Sequence, residues 1–143
     1  LHTVTRRQRQ MCIRDRDVID PEFGNMIPNI DREFVDPIAE LGAHVAPLGI
    51  AFYDGNRFPE KYRNSVFVAL HGSWNRTKKS GYKVILVKLD DNGNYLYQED
   101  FITGWLSNET AWGRPAAPFV MSDGSLLVSD DKHNVIYKVQ FKG

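Results

Sequence analysis

From residue 44 onward, apolar and polar positions alternate in short runs broken by turn residues, a pattern that predicts strands and no helices. Leu48 to Tyr53 reads as a strand closed by the turn dipeptide Asp54-Gly55, and Asn64 to Leu70 as the next. Between them FPEKYR, with Phe58 and Tyr62 as its large apolar residues, reads as a loop over the hairpin. In Tyr82 to Leu89 both alternating sets are largely apolar, which suits a strand packed on both faces. Asp91-Asn92-Gly93-Asn94 makes a turn and Tyr95 to Ile102 a fourth strand. After a loop from Trp105 to Pro115 the pattern restarts. Strands are predicted over Ala116 to Met121, Ser125 to Ser129 and Val135 to Phe141, with turns at Ser122-Asp123-Gly124 and Asp130 to Asn134.

Two successive antiparallel meanders, each preceded by a proline-containing loop (HVAP at 44–47 and WGRP at 112–115), are the sequence form of propeller blades. The expectation is an all-β fragment of a β-propeller, with one blade over residues 44–105 and an incomplete one over 106–143. A β-sandwich also accommodates seven short strands, but it does not require polar loops at matching places in both units.

Upstream, residues 17–43 hold three prolines, scattered acids and no sustained period, and read as a long loop. Residues 1–16 carry five Arg against one Asp, a net +4, and leave 13 basic against 17 acidic residues, a net −4, for the rest. That start lacks the apolar core of a secretory signal and reads as a non-native or disordered segment. The formal net charge of the whole chain is zero, which argues against a nucleic-acid partner, and no apolar stretch is long enough to span a bilayer. Cys12 is the only cysteine, so neither a disulfide framework nor a thiolate metal cluster is expected.

Candidate chemistry concentrates in FVALHGSWNR, residues 67–76, where a strand breaks at Gly72 into a loop bearing His71, Ser73, Trp74, Asn75 and Arg76. Loops carried by a rigid sheet are where binding groups gather; the alternative is that Trp74 caps the core with Arg76 solvated. Asp130-Asp131 reads as a pair that satisfies turn amides, and Lys78-Lys79 as a solvated hairpin tip. A metal set of His44, His71 and Asp130 or Asp131 has no local ligand spacing behind it.

The blocks AHVAPLGIAFYDGNRFPEKYRN, FVALHGSWNRTKKSGYKV, DFITGW, WGRPAAPFVMSDGSLLVSDD and IYKV resemble the C-terminal part of the glucose/sorbosone dehydrogenases, and the resemblance covers residues 17–143. It implies a six-bladed propeller enzyme that takes a hydride from an aldose or aldehyde hydrate and passes it to pyrroloquinoline quinone, with calcium in the full-length enzyme. A planar tricarboxylate of that kind needs cations for its carboxylates and a flat surface for its ring. The resemblance therefore implies cofactor-binding roles for Arg76 and Arg114 as cations, Trp74 or Trp112 as ring surfaces, and His44, His71 and Asn75 as hydrogen-bond donors. Arg76 and Arg114 are expected to share one concavity. The family's general base and most calcium ligands lie in earlier blades, so no catalytic residue is assigned within this chain. The resemblance further implies a sugar substrate, a periplasmic or secreted location, and a fragment that self-associates. A non-catalytic propeller module that binds carbohydrate or protein through the same loops is the alternative.

Overall fold

The computed structural model describes residues 37–142, and the loop expected over 17–43 and the segment 1–16 lie almost wholly outside them. Residues 38–142 belong to one compact unit. Its elements in order are β1 (Pro47–Tyr53), a single 3-10 turn (Glu60–Tyr62), β2 (Ser65–Leu70), β3 (Lys83–Leu89), β4 (Tyr95–Ile102), β5 (Leu106–Ser107), β6 (Thr110–Ala111), β7 (Pro115–Val120), β8 (Leu126–Asp130) and β9 (Val135–Val139). They form a four-stranded sheet β1-β2-β3-β4, a two-stranded hairpin β5-β6 and a three-stranded sheet β7-β8-β9, all antiparallel. The architecture is all-β, and β7 packs against β1 and β2, as the first strands of neighbouring propeller blades do.

Two expectations are corrected. The stretch Trp105 to Pro115 is not simply a loop, because Leu106 pairs with Ala111 and Ser107 with Thr110 around a two-residue turn. Asn108 and Glu109 both take positive φ, 47° and 59°, as a tight hairpin turn of this kind requires. The usual glycine is absent from the second position, so the turn carried no strong sequence signal. FPEKYR is corrected only in that its loop contains the 3-10 turn, while Phe58 and Tyr62 pack over the hairpin as expected. Smaller differences concern ends: β7 starts at Pro115, β8 runs from Leu126 to Asp130 and β9 stops at Val139.

Alternation decides which residues meet. On one face of the first sheet Tyr53, Phe67, Ala69, Val84 and Leu86 are buried together with Leu126, Val128 and Trp105, so this face joins the two larger sheets. Phe67 lies 4.4 Å from Phe101 and 5.5 Å from Tyr53, and Phe58 and Tyr62 close the same aromatic group. The opposite face buries Val68, Leu70, Ile85 and Val87 with Val45, confirming a β3 packed on both sides. Two points fix the sheets against each other. A Cβ on Gly49 would lie 2.6 Å from Ala116 O and from Ala117 Cα, so the backbones of β1 and β7 touch where no side chain intervenes. Tyr53 accepts from the Phe58 N–H at 2.9 Å and donates to Gly124 O at 3.0 Å, which ties the first sheet to the β7–β8 turn.

Candidate functional site

At the other end of the sheets, the β2–β3 loop and the segment leading into β7 come together around an open concavity of about 720 Å³. His71, Trp74, Tyr82, Lys79, Arg114 and Asp131 are among its lining residues. The local fold explains the meeting. β2 ends at Leu70, and the next two amides donate back across the chain, His71 to Ala46 O at 3.0 Å and Gly72 to Val45 O at 2.9 Å. Gly72 has φ 101°, and a Cβ there would fall 2.5 Å from the Tyr82 ring, so only glycine lets that ring close beneath the loop. Ser73 N donates to Ser80 O and Ser80 N to Ser73 Oγ, cinching the base of the loop. Tyr82 donates its hydroxyl to Ser73 O.

Arg114 spans the two sheets. Its Nε donates to His71 O at 3.2 Å and its Nη2 to Gly72 O at 2.7 Å, while the guanidinium lies 5.4 Å from the centre of the Tyr82 ring. The Arg114 backbone is held by Asp130, whose Oδ1 accepts the N–H groups of Arg114, Lys132 and His133, each at 3.0 Å. Burial alone would raise the Asp130 pKa, but these amides outweigh it and hold the carboxyl below the usual range. Among the described residues no carboxylate pairs with Arg114, since its partners are carbonyl oxygens.

The sequence-derived set divides. His71, Trp74 and Arg114 line the concavity, with Trp74 77% exposed. Arg76 does not share it, because its Nη1 turns toward Ala43 O at 3.4 Å and Ser80 Oγ at 3.2 Å. Trp112 packs against Trp105 and His133 and donates its indole N–H to Gly104 O, and it lies outside the lining. His44, at φ 63°, and Asn75 lie outside the lining.

Two further groups at the site depart from what the sequence predicts for them. Lys79 is no free hairpin tip: its N–H donates to Glu109 Oε2 at 2.5 Å, which brings the β5–β6 hairpin to the rim. Asp131 accepts from His71 rather than from turn amides, both carboxylate oxygens lying 3.0 Å from His71 Nε2. Neither contact has a local sequence signal, since the partners stand 30 and 60 residues apart. Among the described residues no three His, Cys, Asp or Glu side chains converge on a common metal position.

Two propeller-type sheets that join at a cation-bearing cleft with an exposed indole define the class: an all-β, propeller-type domain with an open cleft at the blade ends. The chain belongs to the TrAA12-like family, whose model matches residues 29–142. An uncharacterised protein of Borreliella burgdorferi is 42% identical over 125 residues, 84% of this chain and 32% of the relative. A pyrroloquinoline quinone-dependent pyranose dehydrogenase of Coprinopsis cinerea is 45% identical over 53 residues, 37% of this chain and 6% of that protein. Among solved structures, the holo form of the Coprinopsis cinerea pyranose dehydrogenase PQQ domain aligns with TM-score 0.56 at 28% identity, over 68% of this chain and 27% of that one. A Trichoderma reesei structure of Carbohydrate-Active Enzymes Family AA12 aligns with TM-score 0.55 at 22% identity, over 67% of this chain and 25% of its own, a likeness of fold. The chain spans about a third of the length of the first of these curated relatives.

Proposed function

We propose that the chain forms the cleft-bearing C-terminal blades of a quinone-dependent sugar oxidoreductase, with pyrroloquinoline quinone as cofactor and an aldose or sorbosone-like aldehyde as substrate. The observation that carries the reading is Arg114, a guanidinium without a carboxylate partner among the described residues, facing the same concavity as the exposed Trp74 ring. Lys79 and Lys132 line the opening with Arg114, against the carboxylates of Glu109 and Asp131, so the lining keeps one more cation than carboxylate and favours an anionic ligand. The donor set fits a planar tricarboxylate: Arg114 and the two lysines suit its carboxylates and Trp74 its flat face. When bound, the quinone supplies the electrophilic carbon that accepts the substrate's hydride. This chain's own residues orient that ligand and neutralise its charge, and the proton acceptor and the calcium ligands belong to other parts of the whole protein. A periplasmic or secreted location goes with the reading, and among the described residues no helix is long and apolar enough to cross a membrane. No nucleic-acid partner is proposed.

Titrating the chain with pyrroloquinoline quinone while following tryptophan fluorescence tests this. Saturable quenching is expected, weaker at high salt, about tenfold weaker in Arg114→Gln and largely absent in Trp74→Phe. Quenching that fails to saturate, or that both variants leave untouched, would overturn the assignment.

A further inference from the structure

The two adjacent aspartates at the end of β8 do different work. Asp130 is buried and takes up the Lys132 and His133 N–H groups of its turn together with the Arg114 N–H from across the sheet, so the turn needs nothing from Asp131. Asp131 instead extends its carboxylate across the sheet boundary to the His71 ring, both oxygens 3.0 Å from Nε2, with side chains 58% and 15% exposed. A partly exposed surface contact of this kind adds little to stability, so a structural contribution gives no sufficient account of it. His71 is also held from its backbone: the N–H donates to Ala46 O and the carbonyl accepts from Arg114 Nε. A ring fixed this way, in the wall of a cleft, has a defined chemistry. An ionised carboxylate only accepts, so the nitrogen that faces it carries the hydrogen. In the neutral imidazole the other nitrogen, Nδ1, is then the acceptor. Nδ1 has no partner among the described residues.

We propose that Asp131 and His71 act as one unit, in which Asp131 locks His71 in the Nε2–H tautomer so that Nδ1 accepts a hydrogen bond from a hydroxyl of a bound polyol or sugar. The ligand class rests on the function proposed above, whereas the tautomer lock rests on geometry alone. Asp131 is thus a positioning residue, and His71 presents an acceptor in a cleft whose other lining groups include three cations that can only donate. The ring's role is the reverse of the donor role that the family resemblance implies for it.

Long-range nitrogen–proton correlation spectra of the histidine rings, recorded on the full chain at a pH where imidazole is neutral, read the tautomer directly. The His71 signals are expected in the Nε2–H pattern in the wild type and as a mixture of both tautomers in Asp131→Ala and Asp131→Asn. The asparagine variant keeps the side chain's size, and melting curves report its fold. An Nδ1–H or mixed pattern in the wild type, or an unchanged pattern in both variants, overturns the lock. Adding D-glucose is expected to shift the His71 Nδ1 resonance in the wild type, with binding about 2- to 10-fold weaker in both variants. No shift at saturating sugar overturns the acceptor role. A chain that takes up no quinone sinks the proposed function, yet the ligand-free spectra still decide the lock.

Discussion

Asp90, Asp123 and Asp130 each sit where a turn presents N–H groups or hydroxyls, and each is held below the ordinary carboxylate range. For Asp90 the main cause is the Asn94 side chain, helped by the Asn94 amide. For Asp123 the Ser125 hydroxyl comes first, then the Ser125 N–H, with Lys138 alongside, and the pKa falls to about 2. Because the folded values lie below the unfolded ones, the stabilisation is present above the unfolded carboxylate pKa, near pH 4, and is lost as pH falls through the folded values. Denaturation in urea is therefore expected to give a flat midpoint from pH 7 to about 5 and a steady decline between about pH 4 and pH 2. In Asp130→Asn the decline should be shallower, since one of the three titrating groups is gone; an unchanged slope would contradict this account. Sequence showed Asp123 and Asp130 as turn residues because several of their partners lie within three positions, and it placed the preceding turn at Asp91 to Asn94, one residue past Asp90. Arg114 was legible as a cation in a loop, but its direction was not, because two carbonyls 42 and 43 residues away set it.

At the scale of elements, alternation located seven strands because most have one or two faces that must be buried, and burial leaves a period-two trace. The β5–β6 hairpin escaped because two-residue strands leave no such trace, and its turn was marked by backbone conformation rather than by glycine. Gly49 gives the sharpest test of how strands pack between sheets. In Gly49→Ala the new methyl meets backbone atoms of β7, which cannot rotate away, so β1 and β7 must separate. A loss of about 1–3 kcal/mol is expected in urea unfolding, with the Trp105 environment disturbed at the shared core. An Ala variant as stable as the wild type would show that the two backbones are farther apart than described.

For the whole molecule, the decisive feature is what the paired sheets leave uncovered. On β1, Leu48, Ile50 and Phe52 point away from the shared core, and Ile50 is 71% exposed; on the far side of the second sheet Phe119 and Ile136 do the same, the latter 67% exposed. Apolar faces of this kind, left open at both ends of a stack of sheets, favour head-to-tail contact between copies. Sedimentation velocity should therefore show concentration-dependent association that Ile50→Lys or Ile136→Lys reduces, and a single monomer peak across concentrations would refute it.

The grip of Arg114 on the neighbouring loop has one more consequence. Both of its contacts there are carbonyl oxygens, of His71 and Gly72, and every amino acid carries that group. The joint between the sheets is thus indifferent to what the loop displays. The exposed side chains along residues 74 to 78 can be exchanged for others without loosening it, so the loop's ligand preference can drift over evolutionary time on an unchanged frame.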